Sequence, residues 1–416
     1  MKRLFISLFI VLTPFTLADE TETLRQSLIA KGVAYLRKTQ EPAGGWSIRA
    51  GAGPSSVIVT GLLDAGVKVD DPLIKHAIEY INVTVQPDGG IYSPGGHYQT
   101  YETSLGIMAF AAVNKRLKDA DGKAPYDELL KKAEAYLRKS QYTAANDNVI
   151  NEAYRGGIGY GQGQQNMRPD LSNVHYFLDA LEALDVPSND PAVQEALKFV
   201  SRCQNLESEY NTAEWAKKAP DGGFIYVVTE GDQSQTAQSR GEGFSGRGGA
   251  GGASGEGRGA GIGGGEGRGG AGTPSGLGGN LGGGQGQGGQ GLRSYASMTY
   301  AGLKSMIYAG VTKDDKRVKA AFEWAKKNYD LTQNPGMGAN GLYYYYQVLS
   351  KTLDTMDLKE MEDAQGKKHD WRKELVEELA KRQNPDGSWR NVATRWMEGD
   401  PNLVTGYVMM VLADCE

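Results

Sequence analysis

The chain has 416 residues, 39% of them apolar, with 58 glycines and a formal net charge of −5. That length supports one large core or two domains. There is no basic surplus to neutralise a phosphate backbone, which argues against nucleic acid as a partner, and Cys203 and Cys415 alone are too few for a disulfide framework.

Residues 1–18 read as a secretory signal. Lys2 and Arg3 give a positive start, Leu4 to Leu12 form an apolar run, Pro14 breaks it, and Thr16-Leu17-Ala18 predicts cleavage after Ala18. The run is too short to span a bilayer, and no later segment is apolar enough to cross one. The mature protein is therefore expected to be exported, periplasmic or extracellular, without a transmembrane segment. Losing the two positive charges of Lys2 and Arg3 takes the net charge from −5 to −7.

From residue 19 onward one pattern recurs. Stretches starting at Leu28, Leu73, Leu129, Ala192, Arg317 and Glu374 place apolar residues at i, i+3/i+4 and i+7 with Lys, Arg and Glu between them. Each predicts a helix with one buried face. Asp71-Pro72 and Asp190-Pro191 predict caps with Pro in the first turn. A second set follows: "SSVIVTGLLDAG", "YETSLGIMAFAAV", "LSNVHYFLDALEAL", "YASMTYAGLKSMIYAG", "GLYYYYQVLSKTL" and "PNLVTGYVMMVLA". These carry few charges and predict helices buried on all sides. Between the two sets stand aromatic turns: "AGGWSI" at Ala43, "QPDGGIY" at Gln86, "RGGIGYG" at Arg155, "APDGGFIY" at Ala219 and "QNPDGSW" at Gln383. Pro fixes φ and Gly accepts positive φ, so the turn is tight. Trp46, Tyr92, Tyr226 and Trp389 are expected to stack structurally, and the Gln to bond loop backbone.

Units begin roughly every 45 to 65 residues, one interrupted unit apart. Six buried helices need six amphipathic ones around them. The reading is all-α: an (α/α)6 toroid over 19–416, with six inner and six outer helices. An open solenoid would need polar capping units, and neither end unit has one. Residues 231–291 interrupt the fourth unit. They are dominated by Gly with Gln, Arg, Glu and Ser, and this composition predicts disorder. Their G-x-G-x-x-G matches follow no strand and predict no dinucleotide site.

The turns "QNPDGSW", "QPDGGIY" and "APDGGFIY", with alternating inner and outer helices, resemble those of the protein prenyltransferase β-subunits and the squalene–hopene and oxidosqualene cyclases. The resemblance covers nearly the whole chain outside 231–291. It implies a toroid whose inner ring encloses an apolar cavity for an isoprenoid-like chain. The cyclase Asp-x-Asp-Asp motif is replaced by Asp170-Leu171-Ser172-Asn173. The Asp-x-Cys pair of the zinc prenyltransferases is missing at "RSYASMTY", so no metal and no cofactor are expected.

Inner helices of such a ring run parallel, so their N-termini gather at one end, where N–H groups and helix dipoles favour anions. Polar residues collect at those heads: Ser55, Ser56, Glu102, Thr103, Asp170, Ser172, Asn173, His175, Arg293, Tyr295, Ser297, Tyr300, Asp400 and Asn402. Of "YYYY" at Tyr343 to Tyr346, one or two must face the cavity, and Tyr343 and Tyr344 are the candidates. A concave apolar site with a few polar groups is the default ligand site. His175 with Asp170 or Ser172 is the candidate acid–base pair, Asp170 and His175 being the candidate catalytic residues; the others are candidate ligand contacts. Asp170, Asn173, Asp400 and Asn402 also suit simple helix capping. Three functions stay open: a toroid that binds or modifies an isoprenoid-like lipid, an interaction toroid with a filled ring, and a polysaccharide lyase-like toroid using Arg293, Arg395 and His175. The same geometry puts Cys203 and Cys415 at opposite ends, beyond a disulfide's reach. Oligomeric state is left open.

Overall fold

The structure is a computed structural model that describes residues 17–149, 151–161, 168–218, 220–228 and 293–416. The chain divides into two units, 1–244 with 290–416, and 245–289. The second unit, the expected disorder of 231–291, and residues 1–16 of the expected signal lie outside the described residues.

The first unit contains thirteen α-helices among its described residues. They are α1 (Leu17–Thr39), α2 (Gly53–Asp64), α3 (Pro72–Asn82), α4 (Gln99–Asp121), α5 (Asp127–Ser140), α6 (Leu171–Ala183) and α7 (Pro191–Arg202). Then come α8 (Glu214–Lys218), α9 (Ala296–Tyr308), α10 (Lys316–Lys327), α11 (Leu342–Thr355), α12 (Trp371–Arg382) and α13 (Pro401–Asp414). A two-residue hairpin, β1 (Met361–Glu362) against β2 (Lys368–His369), precedes α12. The sequence pattern did not announce α8 or this hairpin. No helix of the described residues is long and apolar enough to cross a membrane.

Burial separates the helices into two sets. In α2 every residue from Gly53 to Leu63 is buried, whereas α5 buries only Leu130, Ala133 and Leu137. A fully apolar surface must be covered all round, and the packing does this. Helix α2 packs on α4, α4 on α6, α6 on α9, α9 on α11, α11 on α13, and α13 back on α2. The inner ring of six is closed. Around it, α3 bridges α2 and α4, α5 covers α4, α7 bridges α6 and α9, α10 covers α9, and α1 and α12 cover α13. The first and last outer helices meet there, as α1 also packs on α12. This is the (α/α)6 toroid.

The turn motif is the joint between units. Gln40 donates to the Gly44 and Leu73 carbonyls, Gln141 to those of Gly156 and Ala192, Gln204 to Gly222 and Arg317, and Gln383 to Gly387 and Leu28. Each amide thus ties its own turn to the outer helix of the next unit, and Gln383 closes the circle onto α1. Trp46 and Trp389 are fully buried, and their indole N–H groups bond Leu36 and Leu379 on the preceding outer helix, both at 2.8 Å. The next joint is made by hydroxyls. The backbone N–H groups of Trp46, Ile91, Phe224 and Trp389 donate to Ser55, Thr103, Thr299 and Thr405 in the first turns of inner helices. That accounts for Ser55 and Thr103, expected above only as polar groups at a mouth. The fifth turn has no aromatic, and its Gln333 amide donates instead to the Asp330 carboxylate. Asn334 takes the role, its amide donating to Ser297 and the Asn340 carbonyl.

Outer helices are capped as their sequences suggest. Asp71, Asp190 and Asp315 accept from backbone N–H groups in the first turns of α3, α7 and α10, each cap contributing about 1 kcal/mol. Arg37 and Arg138 then grip Asp71 and Asp190 through two bonds each, again across units. Cys203 and Cys415 are buried free thiols.

Candidate functional site

The heads of the inner helices enclose a cavity of about 80 Å³. Its walls are Tyr101 from α4, Ser172 and Tyr176 from α6, Ser297 and Met298 from α9, Tyr344 from α11 and Tyr407 from α13. Loops add Tyr160, Tyr226, Tyr295, Gly341, Trp396 and Glu398. The rings hold one another. Tyr101 meets Tyr176 edge-on at 5.1 Å, Tyr176 lies 6.0 Å from Tyr344, and the Tyr160 and Tyr226 hydroxyls are 2.9 Å apart. Burial raises the pKa of Tyr101, Tyr176, Tyr226, Tyr295 and Tyr344 well above the phenolic range, so all five are neutral phenols at physiological pH.

Two carboxyl groups attend the cavity. Asp170 is the N-cap of α6 and is 3% exposed. It accepts from the Ser172 hydroxyl at 2.7 Å, the Asn173 N–H at 2.9 Å and the Asn173 amide at 2.7 Å. Burial raises its pKa against the pull of those donors. Glu398 accepts from the Tyr344 N–H at 2.8 Å and the Asn391 amide at 2.5 Å, at the uncapped start of α11. A carboxyl at a helix N-terminus complements the dipole there. The loop carrying it is bent: Trp396 and Met397 both adopt left-handed backbone, at φ 54° and 62°. Such strain is held only where the surroundings over-determine it. Gly341 belongs to the same device, because a Cβ there would meet the Trp396 ring at 3.1 Å.

No family model matches the chain. A stretch of 79 residues, 18% of the chain, is 44% identical to squalene–hopene cyclase of Bradyrhizobium diazoefficiens and spans 12% of that enzyme's length. A variant of the type II terpene cyclase MstE from Scytonema, in complex with the substrate geranylgeranyl dihydroxybenzoate, superposes with a TM-score of 0.52 at 10% identity. That match covers 96% of this chain and 99% of that one. Another variant, in complex with the product merosterolic acid A, gives 0.52 at 11% identity over 96% and 99%. The chain has the terpenoid cyclase-like fold.

Within this terpenoid cyclase-like toroid the expected site residues separate. Ser172, Tyr295, Ser297 and Tyr344 line the cavity, with Asp170 and Asn173 bonded to one another and Asp170 to Ser172. The rest are elsewhere. Glu102 is a strut, accepting from the Ala52 and Ser93 N–H groups at 2.9 and 3.0 Å. Asp400 caps α13, and Asn402 donates to Ser47. Arg293 is exposed. Tyr300 and Tyr343 are buried filler, packed on Tyr345 and Tyr346. Ser56 turns back onto the Ala52 carbonyl. Tyr226, expected to be purely structural, lines the cavity instead.

His175 does not pair with Asp170. One turn further along α6, Asp179 lies 3.5 Å from its Nε2, and Tyr176 and Tyr344 pack edge-on against the ring. Burial drives its pKa down to about 4, with Asp179 opposing and Lys304 assisting, so the imidazole is neutral. Lys304 of α9 is 2% exposed and bonds both Asp179 and, at 2.9 Å, Glu182. Burial opposes its charge, but Asp179 and Glu182 outweigh it and raise its pKa. The sequence reading missed this buried cluster, and it missed Tyr101, Tyr160, Tyr176, Met298, Gly341, Trp396, Glu398 and Tyr407 of the cavity wall.

Glu398 gives the fold a pH signature. Burial raises its carboxyl from 4.5 to about 7, despite the Tyr344 N–H and Asn391 donors. The folded state therefore holds a proton between those values that the unfolded state releases, and stability falls as pH rises through that window. Denaturant midpoints at about pH 5 and about pH 8 measure the loss, on the order of 3 kcal/mol at most. Glu398→Gln is expected to flatten it, leaving the smaller slope from Asp414, which burial raises from 3.8 to about 6.

Proposed function

We propose that this is an exported toroid, released by cleavage of residues 1–18, that binds a compact isoprenoid-like ligand among the tyrosines at the inner-helix heads. The observation that carries the reading is the aromatic cavity where those heads converge, with two buried carboxyl groups beside it. Concave aromatic sites with few polar groups are ligand sites. The likeness in fold to MstE, which has been seen with geranylgeranyl dihydroxybenzoate, supports the ligand class. Size sets the limit. About 80 Å³ is well below the roughly 300–1,000 Å³ of pockets that enclose drug-sized molecules, so the ligand is small or enters by one end.

The proposal is binding, not cyclisation. Protonating an alkene requires a carboxylic acid free to give up a proton. Both Asp170 oxygens accept from donors, and these stabilise the anion. A second reading, an interaction toroid, is favoured by the tyrosines that fill most of the ring. A polysaccharide lyase-like use is disfavoured because Arg293 is exposed to solvent and His175 is fully buried and turned to Asp179.

Calorimetric titration with geraniol and with squalene separates the first two readings. Geraniol is expected to bind and squalene to bind at least about tenfold more weakly. Ser172→Trp, which fills the cavity, should abolish geraniol binding while leaving the circular dichroism spectrum unchanged. Organic extraction and mass spectrometry of protein from its native compartment, against an Asp170→Asn, Tyr295→Ala control, would identify the natural compound. No binding of geraniol and no extracted ligand would overturn the proposal in favour of the interaction toroid.

A further inference from the structure

We propose that Asn340-Gly341 is a site of self-modification. The Gly341 nitrogen displaces the Asn340 side-chain amide and converts that residue to aspartate and isoaspartate at the wall of the cavity.

The sequence supplies the reactants. Asparagine is among the thermolabile residues, and a following glycine leaves the attacking nitrogen unshielded by any Cβ. Asn-Gly occurs once in the chain, at this position. Every other asparagine precedes a residue with a side chain, and Asn334 and Asn384 precede proline, which has no N–H to lose.

The fold prepares the nitrogen. Three successive carbonyls are held: Asn391 donates to the Ala339 oxygen at 2.7 Å, and Asn334 to the Asn340 and Gly341 oxygens at 3.0 and 3.4 Å. The Gly341 N–H donates to no acceptor among the described residues. It belongs to the same peptide group as the Asn340 oxygen. A hydrogen bond polarises the amide that accepts it, so the Asn334 bond makes that N–H easier to deprotonate. Gly341 is also the N-cap of α11, at φ 66° and ψ 33°, and has no capping side chain. Positive potential at a helix N-terminus favours an anion. Here the anion is first the deprotonated nitrogen and then the oxyanion formed by its attack. The leaving amide is held by a long bond, from Asn340 Nδ2 to the Met337 carbonyl at 3.2 Å. Asn340 is half-buried, so water reaches it.

The chemistry needs water alone. The Gly341 nitrogen forms a bond to Asn340 Cγ, the Cγ–Nδ2 bond breaks, and ammonia leaves with the proton that the nitrogen gave up. Water then opens the resulting imide. Cleavage at Cγ gives aspartate, and cleavage at the main-chain carbonyl gives isoaspartate. Nothing is oxidised or reduced; one water enters and one ammonia departs.

The product alters the cavity. Gly341 lines it and is fitted so closely that a Cβ would meet the Trp396 ring at 3.1 Å. Isoaspartate adds a methylene to the backbone at that point. It also turns the Asn340 carbonyl, which Asn334 grips, into a carboxylate on a side chain. The Asn334 amide bonds the lining residue Ser297 as well, so the disturbance reaches α9 and α11 together. Its effect on binding rests on the reading of the cavity as a ligand site; the modification itself does not.

The test incubates the folded, full-length protein at mildly alkaline pH beside a synthetic peptide of residues 334–346, and follows both by peptide mass mapping. Asn340 is expected to show the mass gain of NH2 replaced by OH, divided between aspartyl and isoaspartyl products, at a rate no slower than the peptide's. Slower conversion in the folded protein, or none, overturns the proposal, because the fold would then protect the bond instead of preparing it. Asn340→Gln, whose side chain is one methylene too long to close the ring readily, should stay unconverted with an unchanged circular dichroism spectrum. The converted protein, separated on an anion exchanger by its added charge, should bind geraniol at least about tenfold more weakly. Equal binding by the two forms overturns the effect on the cavity. Unconverted protein that binds no geraniol removes the ligand reading, and the mass result then decides the modification alone.

Discussion

Replacing Lys304 with methionine is expected to destabilise the toroid by about 3–5 kcal/mol, the largest loss from any single side chain of the inner ring. The ammonium is 2% exposed on α9 and meets Asp179, 6% exposed on α6. Two adjacent inner helices are thus joined by a charge pair removed from water. Such a pair adds little net stability over apolar packing, but breaking it leaves an uncompensated buried charge. Burial would raise the Asp179 carboxyl, and the Lys304 ammonium bonded to it holds it below the usual range. Without Lys304 only neutral His175 and the partly exposed Glu182 remain beside it. Urea midpoints read the loss. The double variant Lys304→Met, Asp179→Leu should regain most of it, because the charge then leaves with its partner. The single variant should also recover toward acid pH, where Asp179 takes up a proton. A single variant as stable as the parent would mean that water reaches the pair and would remove the claim that it is buried.

That pair was legible in principle. "YASMTYAGLKSMIYAG" and "LSNVHYFLDALEAL" are inner helices almost without charge. A lysine in one and an aspartate in the other must meet a counter-charge or a mouth, and the sequence reading attended only to the heads. The ring itself was read because it has two independent signatures, a charged face on every second helix and a turn that repeats. The cavity wall has neither. A helix buried all round shows no periodic face, so Tyr101, Tyr344 and Tyr407, which line the cavity, look the same in sequence as Tyr300 and Tyr343, which only fill the ring. Trp396 and Glu398 depend on two successive left-handed residues, a conformation that favours Gly or Asn and that Trp-Met does not advertise. Asp170 bonds Ser172 and Asn173, which stand beside it in the sequence, and not His175. The i+5 spacing to His175 sends the imidazole away from the head, toward Asp179 at i+4 from His175. The fold likeness to terpenoid cyclases therefore transmits the scaffold, while the chemistry at its mouth has to be read from contacts.

The joint between units makes the second strong expectation: Gly387→Ala should cost about 3 kcal/mol or more, and Gly366→Ala only about 1–2 kcal/mol. Both glycines have positive φ, 92° and 77°, so both substitutions force an L-residue into left-handed backbone. They differ in what a Cβ meets. At Gly366, in the β1–β2 hairpin, nothing lies within 4 Å; at Gly387 the Lys31 carbonyl oxygen of α1 stands at 2.5 Å. A backbone carbonyl in mid-helix cannot swing aside as a side-chain tip can. Either α1 moves off the turn or the turn distorts, and the Gln383 amide that bonds both Gly387 and Leu28 loses one of its carbonyls. This joint is where the first outer helix meets the last turn, so the damage falls on ring closure. Hydrogen exchange in α1 and α13 should accelerate more than in α6 and α7, across the ring. Equal denaturant midpoints for the two variants would show that the repeat tolerates a wider joint. The recurrence of the motif would then reflect the turn's conformation alone. A larger loss at Gly387 makes close backbone contact between units the reason that this turn contains glycine there, as it does at Gly44, Gly89, Gly156 and Gly222, where a Cβ would come within 2.7 Å of a carbonyl oxygen on a neighbouring outer helix.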